Sequence, residues 1–94
     1  MTTTEAIKNP NATLIDVREP YELETDGVID GAINIPLGEV PQKLEEIKEM
    51  PKPLVFFCRS GNRSATAAQF MQENGVEEVY NGGGAEEVNE ILKA

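Results

Sequence analysis

Five consecutive apolar residues, Leu54-Val55-Phe56-Phe57-Cys58, stand out from the surrounding polar chain. An uninterrupted apolar run of this length suits a strand covered on both faces, as in parallel sheets flanked by helices, and it predicts the central strand. Thr13 to Val17 reads as a second strand ended by Arg18-Glu19-Pro20, Ala32 to Ile35 as a short third stopped by Pro36, and Glu78 to Asn81 as the last. Between them the period lengthens. Val40, Leu44, Ile47 and Met50 recur at four, three and three residues, one face of a surface helix with Glu39 and Lys43 placed to pair. Ser64 to Glu73 follows as a helix with Ala67, Phe70 and Met71 inward and Asn74-Gly75 as its stop. Thr4 to Lys8 predicts a short capped helix, and Tyr21 to Glu24 a single helical turn. Gly82-Gly83-Gly84 reads as a strand-to-helix turn rather than a ligand cradle. The final helix then buries Val88, Ile91 and Leu92 and places Glu86 and Glu87 at its positive end. The order α, β, β, α, β, α, β, α predicts a small three-layer α/β/α domain with a mainly parallel sheet.

Composition narrows the chemistry. Ninety-four residues accommodate one core, so residues 1–94 read as a single domain. One cysteine and no histidine exclude an intrachain disulfide, a Cys/His zinc site and any histidine-based catalytic pair, and no metal or cofactor is implied. Seventeen acidic residues against eight basic ones leave a net charge of -9, which argues against sequence-independent binding to nucleic acid or an anionic membrane. The sequence at the N-terminus lacks a hydrophobic signal region, and a free thiol suits a reducing compartment, so the expected location is cytoplasmic.

In parallel sheets ligands bind beyond the carboxyl ends of the strands. All three arginines of the chain, Arg18, Arg59 and Arg63, follow two such ends. No acidic residue occurs between Met50 and Gln72, where Lys52, Arg59 and Arg63 predict a positive pocket around the only thiol. Cys58-Arg59-Ser60-Gly61-Asn62-Arg63-Ser64 joins the central strand to a helix start, whose free N–H groups favour an anion. Gly61 and Asn62 tolerate positive φ, so the loop can curl its amides around one point, with Cys58 at that point. Such surroundings lower a thiol pKa and favour the nucleophilic thiolate. A cysteine needed only for packing would not require glycine, asparagine and two arginines directly after it. Asp16-Val17-Arg18-Glu19 is open to two readings, a strand-end charge cluster or a group orienting the loop. No Gly-x-x-x-x-Gly-Lys-Ser/Thr stretch is present, which disfavours a nucleotide P-loop.

Three ordered segments resemble the rhodanese-like sulfurtransferases in their single-domain form. They are Leu14 to Glu22 (Leu-Ile-Asp-Val-Arg-Glu-Pro-Tyr-Glu), Gly31 to Pro36 (Gly-Ala-Ile-Asn-Ile-Pro) and the loop Cys58 to Ser64. The resemblance implies a Cys58 that takes a sulfane sulfur from thiosulfate or a persulfide. The substrate would be cradled by Arg59, Ser60, Gly61, Asn62, Arg63 and Ser64. The sulfur would pass to cyanide or a thiol acceptor such as thioredoxin or glutathione. Asp16 and Arg18 match positions that buttress the loop in the family. Only Met1-Thr2-Thr3 stands where the family usually has an edge strand, so the sheet is expected to have four or five strands. The family's frequent histidine is missing from Gly27-Val28-Ile29-Asp30-Gly31-Ala32, as is its tryptophan beyond Gly82 to Gly84. Related phosphatases use a Cys-x5-Arg loop; here Cys58 and Arg63 bracket only four residues, a smaller nest suited to one sulfur. The alternative is a non-catalytic rhodanese-like interaction or persulfide-carrier module.

Overall fold

The computed structural model describes residues 1–94. Four strands, β1 (Thr13–Asp16), β2 (Ile33–Asn34), β3 (Leu54–Cys58) and β4 (Val79–Gly84), form one fully parallel sheet in the order β2-β1-β3-β4. The apolar run is an interior strand, as its composition requires. Its alternate residues serve two cores. Leu54, Phe56 and Cys58 pack with Ile15, Val40, Ile47, Ala67 and Met71 on one face, and Val55 and Phe57 pack with Ala6, Ile7, Leu14 and Val88 on the other.

The helices α3 (Leu44–Lys48) and α4 (Asn62–Glu73) cover the first face, and α1 (Thr3–Lys8) and α5 (Ala85–Lys93) the second, which completes the three layers. Helix α2 (Pro20–Asp26) is longer than the single turn expected. Pro20 is suited to the first helical position because that position needs no N–H partner. The Glu22 side chain accepts the Glu19 N–H at 2.9 Å and closes this first turn.

Four expectations need correction, and one is Leu92, which is exposed on α5 rather than buried. The segment from Val40 to Met50 is not one helix: it follows a 3-10 turn at Leu37–Glu39 and comprises a second one at Pro41–Lys43, then the short α3. Pro41 itself stands at the first position of the second 3-10 turn, which needs no N–H partner; continuity breaks at Lys43, whose φ of -107° and ψ of 16° leave the helical region immediately before α3. Val40 and Ile47 still reach the core, and no Glu39–Lys43 ion pair forms. The third strand pairs only through Ile33 and Asn34, less than the Ala32 to Ile35 expected. Finally, Gly82 to Gly84 belong to β4 rather than to a turn, with a register shift opposite Phe56 and Phe57.

Candidate active site

β3 delivers Cys58 to the carboxyl edge of the sheet, fully buried, and the chain leaves through Arg59 and Ser60 into α4. Gly61 precedes that helix with φ +95°, a left-handed conformation that a side chain disfavours. A Cβ there would also sit 3.3 Å from the Gly83 Cα. The β4 glycines are small for the same reason: a Cβ on Gly84 would meet the Arg59 carbonyl at 2.7 Å, and one on Gly82 the Val55 Cγ1 at 2.8 Å. The glycine run is therefore a smooth strand edge on which the thiol loop lies.

The curled loop brings the Gly61 N–H to the Cys58 Sγ at 3.0 Å, and the Ser64 Oγ lies 3.5 Å from the same sulfur. Burial pushes the Cys58 thiol up, but the Ser64 hydroxyl and the N–H groups of Ser64, Ser60 and Gly61 outweigh it and hold the thiol below its ordinary value. The sulfur thus lies among donors that favour its thiolate form.

The arginines are disposed differently from the expected positive pocket. The Arg63 guanidinium is committed to Glu22, with Nη1–Oε1 at 2.6 Å and Nη2–Oε2 at 2.9 Å. Those hydrogen bonds, against the opposing effect of burial, hold the Glu22 carboxyl down to about 2. Arg18 pairs with Asp16, Nη2–Oδ2 at 2.6 Å, with both side chains almost fully buried. Its Nη2 also donates to the Gly27 carbonyl at 3.1 Å, so this pair ties the end of β1 to the segment after α2, while its side-chain hydrogen bonds do not reach the thiol loop. Lys52 turns its ammonium to the carbonyls of Lys48 and Met50, at the opposite end of β3 from the thiol. Arg59 alone of the three arginines has no carboxylate partner. It lines an open cleft of about 410 Å³ together with Arg18, Gly27, Ile29, Glu86 and Asn89. Asn62 opens α4 and, with Ser60, is exposed to solvent, whereas Ser64 is fully buried.

Two residues of the site escaped the sequence reading. Glu22 ends the first of the three family-like segments but is given no role there; its signal is that it stands at the third helical position after Glu19, where a carboxylate can close the first turn and so fix its direction. Asn81 carries no local signal. In the fold it lies on β4 beside the loop, accepting from Ser64 and donating to the Gly61 carbonyl.

The rhodanese-like domain family model matches residues 2–90 of the chain. The uncharacterized protein YqhL of Bacillus subtilis (strain 168) is 49% identical over 70 residues, 74% of this chain and 54% of that protein, so the chain spans about half the length of this relative. A sulfurtransferase of Allochromatium vinosum is 34% identical over 68 residues, 72% of this chain and 62% of that protein. Among solved structures, the human single-domain sulfurtransferase TSTD1 superposes with a TM-score of 0.66 at 32% identity, covering 85% of this chain and 82% of the other.

Proposed function

Because this chain belongs to the rhodanese-like domain family, we propose that it is a sulfurtransferase working through a persulfide on Cys58. The observation that carries this reading is the Cys58 Sγ held at 3.0 Å from the Gly61 N–H, at the base of a loop whose amides converge on it. The Cys58 thiolate attacks the outer sulfur of thiosulfate, or the sulfane sulfur of a persulfide. A new S–S bond forms, the old one breaks, and sulfite or a thiolate leaves with the bonding electron pair. The loop amides that held the thiolate then hold the Cys58-S-S⁻ anion. An acceptor thiolate, such as that of glutathione or thioredoxin, or cyanide, attacks the terminal sulfur and regenerates the Cys58 thiolate. No histidine base is needed, since the donors favour the ionised sulfur before the donor substrate arrives.

Arg59, free of any carboxylate, attracts the anionic donor, and Ser60, Gly61 and Asn62 line the loop that receives it. Arg63 contributes from within its ion pair with Glu22, and the Asp16–Arg18 pair supports the adjoining strand end. Four residues between Cys58 and Arg63 make a tight loop suited to sulfur rather than to a phosphoryl group. A free thiol performing this chemistry suits a reducing compartment such as the cytoplasm. No helix of the chain is long and apolar enough to cross a membrane.

Mass spectrometry after incubation with thiosulfate tests the reading. One added sulfur atom on Cys58, removable by cyanide and absent from Cys58→Ser, is the expected result. An unmodified Cys58 under thiosulfate and under a persulfide donor overturns it.

A further inference from the structure

The Asn81 amide has only one orientation compatible with its surroundings. Its Nδ2 faces the Gly61 carbonyl at 3.1 Å, which can only accept, and its Oδ1 faces the Gly83 N–H at 3.0 Å, which can only donate. Oδ1 is therefore an acceptor, and the Ser64 hydroxyl 2.7 Å away must donate to it. A hydroxyl has a single proton. With that proton on Asn81, the Ser64 Oγ has only lone pairs to offer Cys58, so the 3.5 Å contact is made by the thiol S–H donating to the Ser64 Oγ. The thiolate has no proton to give. To stabilise it, Ser64 must turn its hydroxyl to the sulfur and give up Asn81, whose Oδ1 keeps the Gly83 N–H and whose Nδ2 keeps the Gly61 carbonyl.

We propose that Asn81 is a positioning residue that competes with the Cys58 sulfur for the single proton of Ser64, so that the hydroxyl faces Asn81 in the thiol and turns to the sulfur in the thiolate and persulfide. The consequence runs against the usual effect of losing a neighbouring polar group. Removing the Asn81 acceptor frees the Ser64 proton for the sulfur and favours ionisation. The persulfide part of the proposal rests on the sulfurtransferase reading; the thiol and thiolate part does not.

The other charged groups on this side include Arg63, held by Glu22, Arg59 in the loop, and Glu87 of α5, whose Oε1 accepts the Gly84 N–H at 3.1 Å. None of them hydrogen-bonds Ser64 or Asn81, so the competition is read by changing those two residues alone. Asn81 is exposed, and Asn81→Leu keeps the size of the side chain while removing both its polar groups. It also removes the Gly61 contact, and a double-mutant cycle separates the two effects. The readout is the pH midpoint of Cys58 alkylation by iodoacetamide in wild type, Asn81→Leu, Ser64→Ala and the double variant, with circular dichroism to confirm folding.

With Ser64 present, the Asn81→Leu shift should lie about 0.5–1 pH unit further toward acid than the same substitution in the Ser64→Ala background, the size of one ordinary hydrogen bond. Equal shifts in the two backgrounds, or a shift further toward base when Ser64 is present, overturn the proposal. In the first of those outcomes Asn81 serves only as a clamp on Gly61. Because alkylation needs no sulfur donor, the cycle can fail while sulfur transfer is intact, or succeed where it is absent. Persulfide formation on wild-type Cys58, followed by mass spectrometry, reports on the sulfurtransferase reading separately.

Discussion

Glu22 and Arg63, forty-one positions apart, face each other fork to fork, with Nη1–Oε1 at 2.6 Å and Nη2–Oε2 at 2.9 Å. The pair joins the first turn of α2 to the first turn of α4. It locks the helix whose N-terminus follows Cys58, and it also cancels much of the charge that Arg63 would otherwise present to an incoming anion. A third bond, from the Glu19 N–H to the Glu22 Oε1 at 2.9 Å, also fixes the carboxylate.

This pair makes stability depend on acid. The folded Glu22 carboxyl titrates at about 2, against an ordinary 4.5, so its contribution is fully present above 4.5 and is lost as pH falls from there through about 2. Glu22→Gln should remove that part of the acid dependence and lower stability at pH 7 by about 1–2 kcal/mol, between the ranges for exposed and buried pairs. Urea unfolding of both proteins at pH 7 and across pH 2 to 5 measures it. A variant with the wild-type acid slope would show that the pair does not couple to folding.

Asp16 and Arg18 should behave more severely, since both side chains are almost fully buried. Asp16→Ala leaves a buried guanidinium without its carboxylate and should cost about 3–5 kcal/mol, a large share of the roughly 5–14 kcal/mol expected for a domain of this size. Thermal melts should show a variant near its unfolding threshold at room temperature. A loss under about 1 kcal/mol would mean that water reaches the arginine freely.

The two loop arginines should separate under kinetics. Arg59→Ala removes an unpaired charge and should lower kcat/KM for thiosulfate roughly 3- to 10-fold, about 0.7–1.4 kcal/mol, with stability unchanged. Arg63→Ala should lower stability as well, because it leaves Glu22 without its partner. Steady-state assays paired with urea melts decide it; equal effects of the two substitutions on both measures would contradict the assignment.

Gly84→Ala tests the contact between β4 and the loop. Its new Cβ would lie 2.7 Å from the Arg59 carbonyl, so the loop must move. A cost of about 1–3 kcal/mol is expected from such overpacking. The alkylation midpoint of Cys58 should rise as the Gly61 N–H is displaced from the sulfur. In wild type that midpoint should lie below about 8.5, the value of a free thiol. An unshifted midpoint in Gly84→Ala would place the donor geometry beyond the influence of β4.

The amino-acid sequence by itself determined the features that depend on neighbours along the chain. Leu54 to Cys58 is apolar at every position, and it is an interior strand feeding both cores. Cys58 to Ser64 holds a thiol, a glycine free to take φ +95° and a helix start within seven residues, so the donor-ringed sulfur was legible there. What only the tertiary structure decided are the partnerships across the chain. Counting charges between Met50 and Gln72 suggested a positive pocket, because Glu22 lies outside that window and Lys52 at the far end of β3 lies inside it. The role of Gly82 to Gly84 follows from close approaches to the backbone of Arg59 and Gly61 and to the Val55 side chain that no local pattern encodes. Asn81 is 17 residues from Ser64 and 20 from Gly61, and it meets them only because β3 and β4 pair in parallel. Backbone preference acts over a few residues and leaves a trace in the local pattern. Charge pairing, close packing and side-chain hydrogen bonding act through space, and their partners are settled when the sheet and its helices come together.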